Sequence, residues 1–540
     1  MAFRSVATCL SVSLFALAST GALANKSVVE VPQLVKGAAP TAPLDITDSR
    51  PHHFTAFLNP RGADVAGVSK YFASYGFKVT YSEATRSLGL TGTYAQAQAA
   101  GHFNYRMVGR GQAAFPLPNR KPSFDAGVAK SIDHTTFYIG PRMMPQNHPV
   151  AQDTNSGIPS LGYGPPDYAK FYDITPVYTA GIYGQKETVD IAACGKVFNE
   201  DIQYFSEKYN LPYAGVNATD PTVTIINVEN SDYFYYGLEP TLDVERVHGT
   251  APKASVRLFF VPDCTFGQFE DMFAAIAADQ TANPAVALTI SYGQYEAVYN
   301  YLCTDLGNYN PNYCNYLSTT SGQPAGIAAV TAKGVTVFSS SGDDGGFLPD
   351  VGIGGATTIH ADVLYPASDP NVISVGGTTI LPTATGFKEW AWSGNTGSGG
   401  GVSSIFTIPS WQTLNYVAKT AASTTFKNIP DVSDNADPYS GAAVAFCVST
   451  GCGYPYPVVS IGGTSAASPT FAGFLALIDN ARHAGGLKPL ANVGKVLVNH
   501  HTDFNDITVG SNGPYNAGVG YDNVTGLGTP DVAALVKDLE

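Results

Sequence analysis

The sequence predicts an α/β protein built on a doubly wound, mainly parallel sheet, with a small α+β unit ahead of it. Three observations point there. Apolar, β-branched runs recur at Thr188–Ala193, Thr222–Val228, Ser255–Val261, Val286–Ser291, Val335–Ser339 and Val372–Gly376, with helical segments between them. Near-continuous apolar strands of this kind belong to parallel sheets covered on both faces. Upstream, His53–Leu58 alternates like a strand, Gly62–Tyr75 is helical, Gly76–Thr80 is a second strand, and Thr93–Ala100 and Phe103–Val108 repeat the rhythm, as in a ferredoxin-like unit. The length of 540 residues accommodates both parts and exceeds one ordinary domain.

Taken in order, the chain opens with Arg4, the apolar run Val6 to Ala18 and the small residues Ala22-Leu23-Ala24, which is the pattern of a secretory signal over residues 1–24. The run is too short to span a membrane comfortably, and no later stretch resembles a transmembrane helix. Residues 25–159 form the α+β unit and end in a segment from Met143 to Pro166 rich in Pro, Gly, Asn and Ser, which reads as an exposed linker open to proteolytic nicking. Residues 160–540 form the α/β part. Of seven cysteines, Cys9 leaves with the signal, and the remaining even number in an exported chain suggests disulfides. The simplest pairing joins Cys303 with Cys314 and Cys447 with Cys452, leaving Cys194 with Cys264. The formal charge of -14 excludes a nucleic-acid partner and makes an anionic membrane surface unsuitable. Charged residues make up only 13%, which suits work in acid, where carboxylates neutralise and ion pairs fail.

The chemistry centres on Gly462-Gly463-Thr464-Ser465-Ala466-Ala467-Ser468-Pro469, which precedes the apolar run Phe471 to Ile478. The glycines permit a tight turn, and Pro469 suits the first turn of a helix. Ser465 then sits at or just before a helix start, where free amides favour the oxyanion of acyl transfer. Such a serine needs a base. His248-Gly249-Thr250 is similar to the His-Gly-Thr of subtilisin-like peptidases, but the orienting acid is missing. Ala193 and Cys194 stand where Asp-Thr would end the first long strand, and Asp190 comes too early, so His248 reads as a cap at its helix end. Glu239 and Asp243 offer an alternative: at i and i+4 they share one helix face, with Pro240 suited to the helix start. Asp343 follows an apolar strand in Ser339-Ser340-Ser341-Gly342-Asp343-Asp344-Gly345, at the carboxyl end where ligands of open α/β sheets bind.

Together these motifs resemble one family, the sedolisins or serine-carboxyl peptidases. Glu239 to Asp243 resembles its Glu-x-x-x-Asp motif, Ser341-Gly342-Asp343 its Ser-Gly-Asp, and Gly463-Thr464-Ser465-Ala466 with Pro469 its nucleophile motif. Ser291-Tyr292-Gly293, Tyr365-Pro366-Ala367, Val375-Gly376-Gly377-Thr378, Gly399-Gly400-Gly401-Val402-Ser403 and Pro430-Asp431-Val432 follow in matching order, so the resemblance covers residues 160–540. It implies a subtilisin-like catalytic domain in which Ser465 is the nucleophile, Glu239 its general base, Asp243 the residue sharing charge with Glu239, and Asp343 the donor to the oxyanion. A carboxylate base, with an unperturbed pKa of about 4.3, stays ionised in mild acid. Asp343 must be protonated to donate, so activity is expected in acid and should fall toward neutrality.

The resemblance also implies a calcium loop over residues 503–525, holding one structural Ca²⁺ through the side chains of Asp506 and Asp522, the carbonyls of Ile507, Gly518 and Gly520, and water. It makes the N-terminal unit an activation prodomain that inhibits intramolecularly. The resulting expectation is a secreted or periplasmic, monomeric, acid-active endopeptidase acting on protein or peptide substrates, made as a zymogen. Rival readings are a tripeptidyl-peptidase of the same family, a Ser-His-Asp peptidase using His248, and an inactive exported binding protein. Asn217-Ala218-Thr219 and Asn523-Val524-Thr525 are sequons that matter only in a glycosylating host.

Overall fold

The structure is a computed structural model. It describes the chain apart from residues 1–41, 44–50, 60–61, 83–85, 109–114, 121, 136, 138–142, 151–157, 214–219, 230–236, 263, 281–283, 297–325, 349–359, 395 and 448–455. The signal segment, Cys303, Cys314, Cys452, residues 151–157 of the Pro/Gly-rich linker and the Asn217 sequon lie outside the described residues.

The main sheet has eight strands. In spatial order they are Val223–Asn227, Ser255–Val261, Thr188–Cys194, Ala287–Ile290, Thr336–Ser340, Val372–Thr383 and Gly386–Ala391, with Val432–Asn435 also paired to Val372–Thr383. Every pairing is parallel except that of Gly386–Ala391, which returns antiparallel along the long strand. The six apolar runs read from the sequence are six of these strands. Five of them are buried almost throughout, as expected when helices cover both faces, while the edge strand Val223–Asn227 is only partly buried. Two helices position the chemistry. Leu238–Thr250 and Thr464–Ala484 pack on each other and against the sheet, and both are buried along nearly their whole length. This is the subtilisin-like α/β arrangement.

The α+β unit has the ferredoxin-like strand order. Lys78–Ser82, Ser87–Gly92, His52–Leu58 and Ile132–Thr135 lie side by side, all antiparallel, with helices Val65–Ser74 and Tyr94–Gly101 in the intervening connections. Its core is aromatic: Phe54, Phe72, Phe77, Phe103, Tyr105 and Phe137 are all buried. One strand expected from the sequence belongs elsewhere. Tyr105–Val108 pairs with Ala42–Pro43 and Phe115–Pro118 in a separate three-stranded sheet. The places it was expected to fill are taken by Ser87–Gly92 and Ile132–Thr135, which are short and carry Gly, Ser or His, and so lack a strand-like apolar pattern.

Alternation along His52–Leu58 explains how this unit meets the rest of the chain. Phe54 and Ala56 face the aromatic core, while Thr55 on the other face donates a buried hydrogen bond of 2.6 Å to Asp271 in the helix Phe266–Asp279. His53, also on that face, lies 3.9 Å from Glu229.

The segment expected to be an exposed linker begins as a paired stretch in which Met143 and Gln146 are buried. Met144–Pro145 pairs antiparallel with Tyr292–Tyr295, and His148–Val150 pairs antiparallel with Val458–Gly462. Two unpaired strand edges flank Ser465, and an extended chain rich in backbone donors and acceptors fills the gap between them. Composition alone marks this stretch as loop. Cys194 and Cys264 are joined, as in the simplest pairing, and Cys447 is disulfide-bonded. Asn523 is buried, with its amide donating to Gly401 O at 2.6 Å, so this sequon offers no accessible acceptor in the folded chain.

Candidate active site

Gly463 adopts a φ of +121°, which only glycine enters without strain, and the helix begins at the next residue. Ser465 is therefore the second residue of the helix, and its N–H belongs to the set with no partner inside it. Pro469 lies inside this helix rather than in its first turn. It offers no N–H to Ser465 O, and the Ser291 hydroxyl stands 3.3 Å from that carbonyl instead. Ser291 comes directly after the strand Ala287–Ile290, at the carboxyl edge of the sheet.

The structure gathers Ser465, Glu239, Asp243 and Asp343 around this edge. Ser465 Oγ donates to Ser291 O at 3.2 Å, and Glu239 Oε2 accepts from Asn147 Nδ2, with the Ser465 hydroxyl close enough to the Glu239 carboxyl to favour its ionised form. Asp243 Oδ1 accepts from Ser291 Oγ at 2.6 Å. Asp343 Oδ1 accepts from both the backbone N and the hydroxyl of Thr464 at 2.8 Å, while Oδ2 stands 3.3 Å from His148 Nε2. All four residues are almost completely buried.

Electrostatics follow from that burial. Desolvation raises the Glu239 pKa above the usual carboxylate range, while the side chains of Asn147, Ser465 and Ser291 pull it back by favouring the ionised form. Burial and then the charge of Glu239 push Asp243 well above the usual carboxylate range. Among the described residues no lysine or arginine pairs with either acid. Two interacting carboxyls in so dry a place titrate as a pair rather than singly. The His148 pKa is raised as well, by its hydrogen bond to Asp343 and against the effect of burial.

His248 is not part of this cluster. It is buried on the same helix as Glu239, more than two turns further on, with Nε2 3.0 Å from Ser206 Oγ, and burial lowers its pKa to about 4. It packs against the neighbouring helix Asn199–Tyr209 instead of capping its own. Asp190 is engaged by Arg257, with Nε to Oδ1 at 2.7 Å and Nη2 to Oδ2 at 2.9 Å.

Sequence reasoning missed four contributors. Ser291 was legible only as part of a Ser-Tyr-Gly landmark. Gln146, Asn147 and His148 carried no signal, because a Pro-flanked polar stretch looks alike whether it is free or seated on a cleft.

In the C-terminal loop the two aspartates are bridged by its own backbone. Gly518 N donates to Asp522 Oδ2 at 2.8 Å and Gly520 N to Asp506 Oδ2 at 2.9 Å. Burial raises Asp522 to about 6 despite further bonds from Val524 N and Thr525 N. Two carboxylates and nearby carbonyls are an oxygen-only set, and a half-desolvated acid gains from a divalent cation, so the residues present fit a hard ion.

Comparison with known proteins agrees with the fold. The subtilase family profile matches residues 219–518. Kumamolisin of Bacillus sp. (strain MN-32) is 30% identical over 409 residues, which is 70% of this chain and 63% of kumamolisin, so the match spans less than two thirds of that relative. Sedolisin of Pseudomonas sp. (strain 101) is 28% identical over 519 residues, 89% of this chain and 80% of sedolisin. The structure of Pseudomonas sedolisin, described as a serine-carboxyl proteinase complexed with two molecules of pseudo-iodotyrostatin, superposes with a TM-score of 0.54 at 26% identity, covering 70% of this chain and 97% of that one.

Proposed function

The chain belongs to the subtilase family, among its sedolisins, and from that premise we propose that it is an exported, acid-active serine-carboxyl endopeptidase made as a zymogen. The observation that carries this reading is the company Ser465 keeps: its hydroxyl lies beside the buried Glu239 carboxyl and favours its ionised form, and His248, the rival base, is bonded to Ser206 elsewhere.

In this reading Ser465 Oγ attacks the substrate carbonyl and gives its proton to Glu239, with Asp243 sharing the charge through their common proton. The carbonyl oxygen takes up negative charge beside Ser465 N–H, and Asp343, as a carboxylic acid, donates the second hydrogen bond. Glu239 returns the proton to the leaving amine, and water then hydrolyses the acyl-enzyme by the same route. The full-length chain is latent because residues 144–150 occupy the cleft and Asn147 holds Glu239. The α+β unit acts as the prodomain, docked through Thr55 on Asp271. Met143 N donates to Cys264 O at 2.8 Å, so the cleft receives a chain beyond three residues on that side, which favours endopeptidase action over removal of tripeptides.

Asp506 and Asp522, with carbonyls of Ile507, Gly518 and Gly520, would hold one Ca²⁺, whose contribution is to neutralise Asp522 and fix the loop. Export follows from the signal-like segment 1–24. Among the described residues no helix is long and apolar enough to cross a membrane.

The test is hydrolysis of an unfolded protein after acid treatment. The wild-type chain should cleave it best near pH 4 and lose activity toward neutrality, whereas Ser465→Ala should lose at least about 10³-fold. Optimal activity above neutral pH contradicts the role given to Asp343.

A further inference from the structure

The segment between the α+β unit and the sheet does more than lie in the cleft: its backbone is held in one register against the nucleophile. Gln146 N donates to Ser291 O at 3.1 Å, and Gln146 O accepts from Ser465 N at 3.0 Å. Both backbone groups of one residue are thus bonded to the serine and to its neighbour at the sheet edge. On the N-terminal side Pro145 is opposite Tyr292 and Met144 opposite Gly293, and on the C-terminal side His148 is opposite Gly462 and Pro149 opposite Ile461. Extended pairing on both sides, with the crossing point at 146–147, is how a cleft presents a peptide by its backbone.

Gly463 shows how close the approach is. A Cβ there would overlap Gln146 O and lie 2.8 Å from Asn147 Cα and 2.7 Å from Asp343 Oδ2. The carbonyl of Gln146 and the Oδ2 of Asp343, which also faces His148, therefore flank one point, beside the amide of Ser465. Asn147, whose nitrogen is the other half of that peptide bond, sends its side-chain amide to Glu239. A carbonyl at the place where an oxyanion would form, next to an amide nitrogen beside the base, describes a scissile bond.

We infer that the maturation site of this chain is the Gln146–Asn147 peptide bond, cut by its own Ser465. The inference rests on the peptidase reading above. A bond forms between Ser465 Oγ and the Gln146 carbonyl carbon while the bond to Asn147 N breaks. The serine proton passes through Glu239 to that nitrogen, and one water then releases the Gln146 carboxylate and restores the hydroxyl. The products end at Gln146 and begin at Asn147. Cutting two residues later would have to break the bond to Pro149, and the carbonyl of Asn147 makes no bond to Ser465 N. The mature chain accordingly keeps residues 147–159, which the sequence alone assigns to the prodomain.

The experiment is acidification of the purified full-length chain to about pH 4, followed by intact-mass and N-terminal analysis, with Ser465→Ala alongside. A Ser465-dependent product beginning at Asn147 is the expected first species. In parallel, the matured enzyme is given a synthetic peptide of residues 142–151, and cleavage between its Gln and Asn is expected. A Ser465-dependent first product with a different N-terminus, or a peptide left whole or cut elsewhere while an unfolded protein is digested, overturns the site and leaves the peptidase reading standing. If neither maturation nor protein hydrolysis depends on Ser465, the peptidase reading itself fails. A Gln146→Pro chain, which lacks the N–H given to Ser291 O, should mature at least tenfold more slowly with an unchanged melting temperature. Maturation at the wild-type rate and bond contradicts the register.

Discussion

Asp190 and Asp243 are both fully buried beside the same sheet, yet their surroundings differ in kind. Asp190 sits opposite Arg257 on the adjacent strand and accepts two hydrogen bonds from its guanidinium and one from Gln280 Nε2 at 2.7 Å. Even so, burial leaves its pKa at about 6. Asp243 faces Glu239 one helical turn away and receives one hydroxyl hydrogen bond from Ser291. The first site compensates a buried charge with a cation. The second sets two like charges together and leaves them to share a proton, which destabilises the helix but places a proton acceptor against a serine. Removing water from a carboxylate costs several kcal/mol unless something balances it. At Asp190 the balance makes the acid structural, and at Asp243 its absence leaves the pair available to the serine beside it.

The contrast breaks most visibly if the cation is taken from the balanced site. Arg257→Met should destabilise the chain by about 3–5 kcal/mol near neutral pH, since Asp190 is then buried without a partner. Peptide hydrolysis per folded molecule should be unchanged, and urea unfolding with active-site titration checks both. A loss of turnover without loss of stability would mean that Asp190 takes part in catalysis.

A smaller effect sharpens the same contrast across many acids. Burial holds Asp201 and Asp479 at about 6 and Asp271 and Glu389 at about 7. A carboxyl whose folded pKa exceeds its unfolded value of about 4 stabilises fully below that value. That stability is lost as pH rises through the folded value. The melting temperature of Ser465→Ala, which cannot digest itself, should therefore be highest near pH 4 and fall by several degrees between pH 5 and 8. A rise over that range would contradict the burial argument.

The smallest effect concerns Asp522, an acid that a bound cation would balance. Calcium in hundredfold excess over its Kd should add roughly 3 kcal/mol, seen as a higher melting temperature that chelator reverses. A melting temperature indifferent to calcium and to chelator removes the ion from the loop.

Much of this contrast was legible in the sequence, for physical reasons. Thr188–Cys194 and its neighbours are apolar on both faces, so composition alone locates a buried parallel sheet. Glu239 and Asp243 could be put on one helix face from spacing. Their complete burial could not, because it depends on the helix Thr464–Ala484 packing across them. Ser87–Gly92 was invisible as a strand, since Ser, Gly and Thr pack in a sheet only when tertiary neighbours cover them. Pro469 was misplaced by one turn because the compensating Ser291 hydroxyl comes from a distant strand. Gln146 to His148 were unreadable for a related reason: their meaning lies in the two strand edges they bridge.

The most direct measurement compares kcat/KM at about pH 4 for Glu239→Gln and His248→Asn, each matured by immobilised wild-type enzyme and confirmed as folded by circular dichroism. Glu239→Gln should lose roughly 10²–10⁴-fold, the worth of a general base, while His248→Asn keeps most of the wild-type value. Retained activity in Glu239→Gln with its loss in folded His248→Asn would contradict a carboxylate base and restore the imidazole.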